Sequence, residues 1–563
     1  MASFFLTQPL ILTTSIPKTS FRNKSPTPNN TSDHAKRKSK ALSPGSSIFS
    51  CMASRDGNHD DQQNPTTNET HQSWELTRRN VMFGLGGLYG SMSTCWMPSE
   101  HPLSAIAAPI PPPDISTCHD VPKSGDAHDK VNCCPPEPTI IDYVPPPVTC
   151  LRVRRPAHMA SCEYIAKYNK ATELMKNLPL SDPRNFMQQA NVHCTYCDGA
   201  YYQAGLTENI PLCVHNSWLF FPFHRWYLYF YEKILGNLIG DPTFALPFWN
   251  WDHPDGMQIP HMYTDNLSSL YDELRSTAHQ PPATVNLSYG GGGEYRERQV
   301  EENLCVMHKN MVSGAKLPQL FFGSPYRLGN TGGTCAGTIE QHPHNSVHNW
   351  TGTERTPLGE DMGIFYAAGR DPIFFAHHAN VDRMWSIWKT LDGRKRQDIK
   401  DRDFLDAGFL FYDENARLHK SAEVGKSSSP EVELTTKLPI HLKGRKAVTA
   451  VVPRPKKARS KEEKEEEEEV LVLEGIGFDT LKPVKFDVYG NNEYAPGPEY
   501  SEFAGSFVNV PHAPCEDHYK HNLAITELLD EIEADNDDEI KVTLVLMNDY
   551  EITIEGIRIE LLS

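Results

Sequence analysis

Histidines at spacings that suit metal binding are the residues of this sequence best able to do chemistry. The first is His193, which stands beside a Cys194-x-x-Cys197 motif, and His215 and His224 follow it along the chain. The two cysteines alone would suit a redox pair, but no strand-then-helix pattern surrounds them. We therefore interpret this part of the chain by its imidazoles, as one group of metal ligands.

A proline explains how two of these histidines can face one ion. His215 and His224 are nine residues apart, so a single continuous helix would place them on opposite faces. Pro222 favours the first turn of a helix, which puts His224 in that turn and His215 on the preceding segment. From Trp226 to Ile239 apolar residues recur at helical spacing, which predicts a helix that is buried on much of its surface.

A second group of histidines follows about 120 residues later. His344 and His348 are four residues apart, so on a helix they share one face and can bind one ion. His377 and His378 are adjacent and diverge by about 100° on a helix, so only one of them is expected to point at the ion. We favour His378, because Asp382 lies four residues further on and could support its ring as a hydrogen-bonding carboxylate.

The composition of the two groups limits the choice of metal. With 24 histidines in the chain, a single one would more often lie on the surface or in the core than bind a metal. Seven of them within short aromatic-rich motifs indicate a site, and imidazoles without clustered carboxylates suit copper or zinc better than iron or manganese. Pairs of zinc ions usually recruit bridging carboxylates, and none is embedded in these motifs.

The histidine motifs resemble those of the plant polyphenol oxidase (catechol oxidase/tyrosinase) family, which are chloroplastic type 3 copper proteins. The runs Phe-Phe-Pro-Phe-His-Arg-Trp-Tyr and His-His-Ala-Asn-Val-Asp-Arg-Met-Trp carry the resemblance, which extends from the presequence to Ser563. It implies a mainly α catalytic domain, a helical bundle around a binuclear copper site, followed by a C-terminal β-sandwich domain. It also implies two copper ions per chain, the first bound by His193, His215 and His224 and the second by His344, His348 and His378.

The same resemblance implies covalent links between side chains. They are a thioether between Cys197 and His215 and disulfide bonds Cys118–Cys134 and Cys133–Cys194. The sequence alone permits three pairings among the four disulfide cysteines. An irregular, proline-rich segment such as the one they occupy needs such fastening.

Three further residues match positions of the family near the copper ions. Phe365 matches the gate phenylalanine over the second copper, and Glu340 matches the carboxylate that holds a water. Asn345 directly follows His344, and asparagine at that position is associated in this family with tyrosinase-type activity. Glu340 and Asn345 could together polarise a water into a base for a monophenol. The simpler interpretations are core packing for Phe365 and an ordinary helix N-terminal residue for Asn345.

Two targeting signals in series are predicted before the catalytic domain. Residues 1–50 hold seven basic residues, one acidic residue and sixteen Ser or Thr, the composition of an organelle transit peptide, which we assign to residues 1–77. In residues 78–107, a twin-arginine pair precedes a short apolar stretch and the cleavage pattern Ala105-Ile106-Ala107. The mature chain would then begin near Ala108 in the thylakoid lumen.

The rest of the chain divides into three predicted parts. The catalytic domain takes residues 108–419, a charged flexible linker takes 420–469 with its run of glutamates, and a β-sandwich cap domain takes 470–563. Period-2 stretches at Ile540–Leu546 and Ile552–Ile559 predict strands in the cap domain. The Tyr-x-Tyr motif that closes the family's catalytic domain is missing after Leu418, so the sequence does not predict how this edge is closed.

The resemblance implies an oxidoreductase that converts o-diphenols to o-quinones with O₂, extends to o-hydroxylation of monophenols, and is latent until a protease removes or displaces the cap. The alternative is a dioxygen-binding type 3 copper protein without turnover. Such a carrier would not need a lumenal presequence or a removable cap, so these two features favour the enzyme. The net charge of −18 makes nucleic acid and anionic membranes poor partners. The sequence contains no run of about 18 or more apolar residues, so we predict no transmembrane segment.

Overall fold

The computed structural model describes residues 108–123, 129–136, 140–147, 151–290, 295–391, 395–421, 439–444, 447–492, 497–513 and 518–563. The two predicted targeting signals, 1–77 and 78–107, lie outside the described residues. Among the described residues we find no helix with the length and apolarity that crossing a bilayer requires.

The histidine-bearing part of the chain is mainly helical. Its α-helices are Cys162–Lys176 (α1), Phe186–Cys197 (α2), Phe220–Leu238 (α3), Arg296–His308 (α4), Pro318–Phe322 (α5), Asn345–Thr351 (α6), Phe365–Ala368 (α7), Ile373–Trp388 (α8) and Arg402–Leu405 (α9). Short 3₁₀ turns lie at Ile115–Thr117, Ala157–Met159, Pro254–Gly256 and His261–Tyr263, and π-turns lie at Lys309–Ser313 and Glu340–His344. Helix α3 packs against α1 and α8, and α2 packs against α7.

Helix α3 shows why these sequences form buried helices. Pro222 lies in its first turn, where the missing amide hydrogen costs nothing. Most of its side chains are buried, including the charged Glu232, which is 2% exposed and pairs with Arg154. The helix is therefore central to the core, as its apolar pattern predicted, and its first turn is held in place by packing on several sides.

Helix α8 begins at a buried ion pair. Asp371 accepts a hydrogen bond from the Ile373 backbone amide, and its carboxylate binds the Arg275 guanidinium through two contacts of 2.6 and 2.7 Å. Both side chains are 1% exposed. The pair fixes the start of the helix that carries His377 and His378.

We expect Arg275→Met to destabilise the protein strongly, because Asp371 would remain as a buried charge without its partner. Loss of one member of a buried pair costs about 3–5 kcal/mol. Denaturant unfolding followed by tryptophan fluorescence measures the change. Arg298→Met is the control, because that side chain is 60% exposed and surface pairs contribute little. Similar unfolding midpoints for the two variants would contradict the role of the pair.

Two small sheets complete this part of the chain. Val121–Pro122 (β1) pairs with Lys130–Val131 (β2), and Leu418–Ser421 (β5) lies between Ile140–Asp142 (β3) and Phe409–Tyr412 (β4). Strand β5 runs parallel to β3 and antiparallel to β4, whose residues are all buried. The three-stranded sheet closes the edge whose closure the sequence did not predict, without a Tyr-x-Tyr motif.

The C-terminal domain consists of two four-stranded antiparallel sheets. Their strands are Ile440–Lys443 (β6), Ala447–Pro453 (β7), Glu468–Gly477 (β8), Lys485–Gly490 (β9), Phe503–Val508 (β10), Tyr519–Ala524 (β11), Glu539–Leu546 (β12) and Glu551–Leu562 (β13), with helices Lys461–Glu466 (α10) and Thr526–Glu531 (α11). The strand orders are β10-β9-β12-β7 and β11-β8-β13-β6. The predicted fold class is confirmed, as are the two strands that the period-2 stretches predicted.

The predicted linker, 420–469, is wrong at its C-terminal boundary. Strand β6 pairs with β13, β7 pairs with β12, and α10 precedes β8, so all of these elements belong to the C-terminal domain, which begins by Ile440. The run of glutamates misled the prediction because its last members are not solvated. Glu468 and Glu469 are 3% and 1% exposed, and Glu469 binds Arg454 at 2.8 Å.

Candidate metal centre

Buried ligand atoms gather in two groups in the helical core. The first group is His193, Cys197, His215 and His224, and the second is His344, His348, His377 and His378. Within each group one ligand atom per residue lies within 4.8 Å of all the others. Every one of the eight side chains is at most 3% exposed, so the groups can exchange little with water.

The first group is held by two helices and the segment between them. His193 lies on α2, His224 lies in the first turns of α3, and His215 lies on the segment before α3, as Pro222 predicted. The His193 ring is 5.4 Å from the His215 ring and 5.6 Å from the His224 ring. The disulfide Cys133–Cys194 attaches the N-terminal segment to α2 directly beside His193.

Both disulfide bonds implied by the resemblance are present in the structure, as Cys118–Cys134 and Cys133–Cys194. Cys197 has a free, buried thiol. Its Sγ lies within 4.8 Å of a ring nitrogen of His215. The two side chains are thus close neighbours, and the thioether between them stays a prediction.

The second group is held by a bent helical segment and by α8. The π-turn Glu340–His344 is kinked at His342, and α6 continues directly from it. His344 and His348 therefore share one side of a helix, with ring centres 4.6 Å apart. The two groups are neighbours, because the His224 and His378 rings stack at 4.1 Å.

Hydrogen bonds from Nδ1 orient four of the seven histidine rings in the same way. The Nδ1–H groups of His193, His224 and His348 donate to the carbonyls of Phe365, Phe220 and Met362 at 2.9, 2.8 and 2.8 Å. His344 Nδ1 donates to the side-chain oxygen of Asn345 at 2.9 Å. A proton held at Nδ1 leaves a lone pair on Nε2, which is how metal-binding histidines are commonly fixed.

Most Nε2 atoms of the two groups have no protein partner that would explain their burial. Those of His193, His224 and His344 are buried without a hydrogen bond, as are both ring nitrogens of His215. The Nε2 atoms of His348 and His378 are 3.2 Å apart. Two imidazoles bound at about 2.0–2.1 Å to one tetrahedral ion have about this separation. The residues therefore fit metal ions at both groups.

Burial keeps these imidazoles neutral. It lowers the pKa of His224 to about 3 and the pKa of His348 to about 4, and it lowers the pKa of His193, His344 and His378 well below the ordinary value. Neutral imidazole is the form that binds a metal ion, so no proton has to be displaced at neutral pH.

Asp382 does not support His378, contrary to the sequence-based prediction. Its two carboxylate oxygens bind Arg225 Nε at 2.5 Å and Arg154 Nη1 at 2.7 Å, and His378 Nδ1 has no hydrogen-bond partner. Four residues along a helix bring two side chains to one side but do not bring their ends together. His377 also lies in the second group, contrary to the expectation that only one of the two adjacent histidines faces it, and its Nδ1 accepts a hydrogen bond from Trp251 Nε1 at 3.1 Å.

Phe365 lies against the first group of histidines and not over the second. Its ring stacks with His215 at 4.0 Å, and its carbonyl is the acceptor for His193. The prediction that it covers the second ion is therefore wrong in position. His512 of the C-terminal domain also stacks with Phe365, at 5.0 Å.

Glu340 and Asn345 lie on either side of His344 but have separate partners. Glu340 is 1% exposed, one of its oxygens accepts from the Asn216 amide at 2.7 Å, and the other has no partner. Burial raises the pKa of Glu340 well above its ordinary value. Asn345 donates through Nδ2 to the carbonyl of Val508 at 2.6 Å, so its amide is engaged by the C-terminal domain.

A short segment of the C-terminal domain, residues 508–513, lies against the centre and is called the cap segment here. Three amide side chains at a spacing of four residues, Gln341, Asn345 and Asn349, donate to its carbonyls at positions 508 and 509. The Phe365 amide donates to Pro511, and the Ala513 amide donates to the Asp198 carboxylate. Val510 is 1% exposed within the core that also contains Phe365.

Gln341, Asn349 and Asp198 were not found by sequence reasoning. The only signal for the first two is the spacing of four residues on either side of Asn345, which places three amides on one side of a helix. Asp198 gives no signal, because its partner is a backbone amide 315 residues later.

Two buried groups of imidazoles at the centre of a helical domain define a protein with a binuclear metal centre. Family models match three parts of the chain: the common central domain of tyrosinase at residues 183–391, the polyphenol oxidase middle domain at 398–421 and the chloroplastic polyphenol oxidase C-terminal domain at 438–561. The last match begins close to strand β6, in agreement with the corrected domain boundary.

Relatives match over most of the chain. The chain is 46% identical over 619 residues to a chloroplastic polyphenol oxidase of Malus domestica, covering 99% of this chain and 100% of that one. It is 47% identical over 508 residues to aureusidin synthase of Antirrhinum majus, covering 81% and 90%. The solved structure of latent apple tyrosinase superimposes with a TM-score of 0.70 at 50% identity, covering 76% of this chain and 100% of that chain.

The chain therefore belongs to the chloroplastic polyphenol oxidase family of tyrosinase-type oxidoreductases. Its two groups of histidines form a binuclear copper site.

Proposed function

We propose that the protein oxidises o-diphenols to o-quinones with O₂ and hydroxylates monophenols, with His193, His215 and His224 on one copper ion and His344, His348 and His378 on the other. The assignment is supported by the buried Nε2 atoms of His193, His224 and His344, which have no partner and whose rings are oriented through Nδ1. The Nε2 atoms of His348 and His378, 3.2 Å apart, add to it. The two copper ions supply the redox chemistry, since a pair of ions can pass two electrons between a diphenol and O₂.

The residues around the ions prepare the site for that chemistry. Backbone carbonyls and Asn345 hold four of the six ligand rings, which would limit their reorganisation on a change of copper charge. Phe365 offers an aromatic face beside His215 against which a phenol ring can stack. A thioether between Cys197 and His215 would fix the His215 ring, which has no hydrogen bond at either nitrogen.

The test of this function is catechol-dependent oxygen uptake by the copper-loaded protein after removal of the C-terminal domain. We expect quinone formation in step with oxygen consumption. Reversible oxygen binding with no quinone would support the alternative, a dioxygen-binding protein without turnover. A panel of phenols then identifies the substrate, since relatives of similar identity carry names as different as aureusidin synthase and (+)-larreatricin hydroxylase.

We expect Asn345→Gly to weaken monophenol hydroxylation while sparing diphenol oxidation. In our proposal Glu340 and Asn345 together polarise the water that takes the proton of a monophenol, and a diphenol reacts without that help. General-base catalysis contributes about 10²–10⁴-fold to a rate, so we expect the ratio of monophenol to diphenol turnover to fall by about 10²-fold.

The measurement compares tyrosine and catechol turnover in the trimmed, copper-loaded enzyme. Asn349→Gly is the matched control, because it removes the same side chain one turn further along α6, and we expect the ratio of activities to stay as in the parent enzyme. An equal loss of both activities in Asn345→Gly would contradict the proposed role and would indicate that Asn345 only holds the His344 ring.

We propose that the chain is latent because the C-terminal domain covers the copper site. Support comes from the cap segment, whose carbonyls accept from Asn345 and Asn349 and whose His512 ring stacks with Phe365. Ion pairs across the domains add to the contact, as between Lys316 and Glu468 at 3.5 Å. A protease that cuts between β5 and β6 would then be the activating partner.

We propose the thylakoid lumen as the location of the mature protein. The relatives are named chloroplastic, the presequence contains a twin-arginine pair, and two disulfide bonds suit an oxidising space. Import into isolated chloroplasts tests this proposal. A mature form that resists protease in intact thylakoids, and becomes sensitive when they are lysed, is the expected result, and recovery in the stroma would contradict it.

A further inference from the structure

A single hydrogen bond distinguishes His377 from the other histidines of the centre. Trp251 Nε1 lies 3.1 Å from His377 Nδ1, and both side chains are fully buried. An indole N–H can only donate, so His377 Nδ1 must accept. The proton of the neutral ring is then on Nε2. His377 thus has an N–H at the position where His348, whose Nδ1 donates to Met362, has a lone pair.

We propose that Trp251 is a positioning residue that prevents His377 from binding the second copper ion by holding its proton at Nε2. The inference rests on the proposed ligands of that ion. His377 is close enough to compete with them, because its ring lies 5.1 Å from the His344 ring and 4.9 Å from the His348 ring. Its Nε2 is buried and has no hydrogen-bond partner.

The consequence concerns the open position of the metal. Catalytic metal sites keep three protein ligands and leave one position free, whereas structural sites use all of them. A fourth imidazole from His377 would close the second copper ion to oxygen. With its proton at Nε2, His377 has no lone pair there to donate, so the ion keeps three histidines although four surround it.

The surrounding structure holds Trp251 opposite His377. The neighbouring Asp252 accepts from Asn380 at 2.9 Å and from Arg383 at 3.0 Å, so it binds helix α8 within two turns beyond His377. Glycine is required at position 256, where a Cβ would meet the Asn250 carbonyl oxygen at 2.3 Å. The loop that carries Trp251 is therefore fixed in register with α8.

The tautomer can be measured directly on the full-length protein loaded with Cu(I), which is diamagnetic. Selective ¹⁵N labelling of histidine and proton–nitrogen correlation spectra distinguish Nε2–H from Nδ1–H rings, and His377→Gln assigns the signal by its loss. We expect an Nε2–H ring for His377. An Nδ1–H ring would overturn the proposal, and this measurement needs no variant of Trp251 to fold.

The effect on the metal is tested with Trp251→Phe, which keeps an aromatic ring but removes the donor. In the crystal structure of the copper-loaded variant we expect four histidine nitrogens at the second ion and, in solution, an oxygen affinity lower by about 10–100-fold. The double variant Trp251→Phe/His377→Gln should recover the affinity, because the competing imidazole is gone.

Three ligands and unchanged oxygen affinity in Trp251→Phe would overturn the proposal. A loss that the second substitution does not repair would also overturn it, because Trp251 would then act through packing alone. Both readouts are independent of catechol turnover. A protein that shows the expected tautomer and ligand count but oxidises no phenol would refute the proposed function and leave this inference standing.

Discussion

Removal of the C-terminal domain is expected to raise the catechol turnover of the copper-loaded protein by on the order of 10²-fold, since a tethered domain competes with substrate at a high effective concentration. The cut is placed in residues 422–438, before strand β6, and the two fragments are separated before the assay. Copper content is matched between cut and uncut protein. The physical reason is the cap segment, which stacks His512 against Phe365 and accepts hydrogen bonds from the Phe365 backbone amide and the Asn345 side chain.

A point substitution tests the same idea without cleavage. Val510 is 1% exposed in the core of the catalytic domain, so Val510→Asp would bury an unpaired charge if the domains stayed docked. We expect this variant to be active without proteolysis. Val451→Asp is the matched control, because Val451 is 55% exposed on strand β7 of the same domain, and we expect it to stay latent.

Two outcomes would contradict latency through the cap. One is unchanged turnover after clean removal of the C-terminal fragment at equal copper content. The other is equal activity of the Val510 and Val451 variants. Either would indicate that the domain serves folding or copper loading and does not control access to the site.

His378→Ala is expected to abolish oxygen uptake and to reduce the copper content from two ions per chain towards one. Its Nε2 lies 3.2 Å from that of His348, and in our proposal the variant removes one of three ligands from the second ion. Copper is counted by atomic absorption on the purified protein, and catechol-dependent oxygen uptake is measured after trimming.

His377→Gln provides the comparison, because it changes the adjacent residue of the same helix. We expect it to keep two copper ions per chain, since the Nδ1 of His377 is engaged by Trp251. Full turnover with two ions in His378→Ala would show that the assignment of His378 over His377 is wrong. Loss of an ion from both variants would show that all four histidines of the second group bind it.

The spacing of residues was sufficient to predict most of the metal centre. His344 and His348 share a side of one helix because four residues make slightly more than one turn, and Pro222 indicated where α3 begins. The strands β12 and β13 were predicted in the same way, because alternating apolar residues indicate a strand in a sheet with one buried face. These patterns act over a few residues and need no knowledge of the rest of the chain.

Predictions failed where a distant part of the chain changes the environment of a residue. Asp382 was assigned to His378, but Arg154 approaches from a segment 228 residues earlier and takes its carboxylate. The glutamate run was assigned to a solvated linker, but Glu469 forms a buried ion pair with Arg454 inside the C-terminal domain. A charge is solvated or paired according to its neighbours in space, which composition does not report.

The sequence by itself determined that the chain binds two metal ions through imidazoles, and the divergence of about 100° between adjacent residues on a helix predicted that only one of His377 and His378 faces the second ion. The tertiary structure brings both rings into the second group, so only a contact of one ring can distinguish them. Trp251 lies 126 residues before His377, and its indole N–H requires the acceptor nitrogen of that ring. The choice depends on one hydrogen bond between distant segments, and no local pattern encodes such a contact.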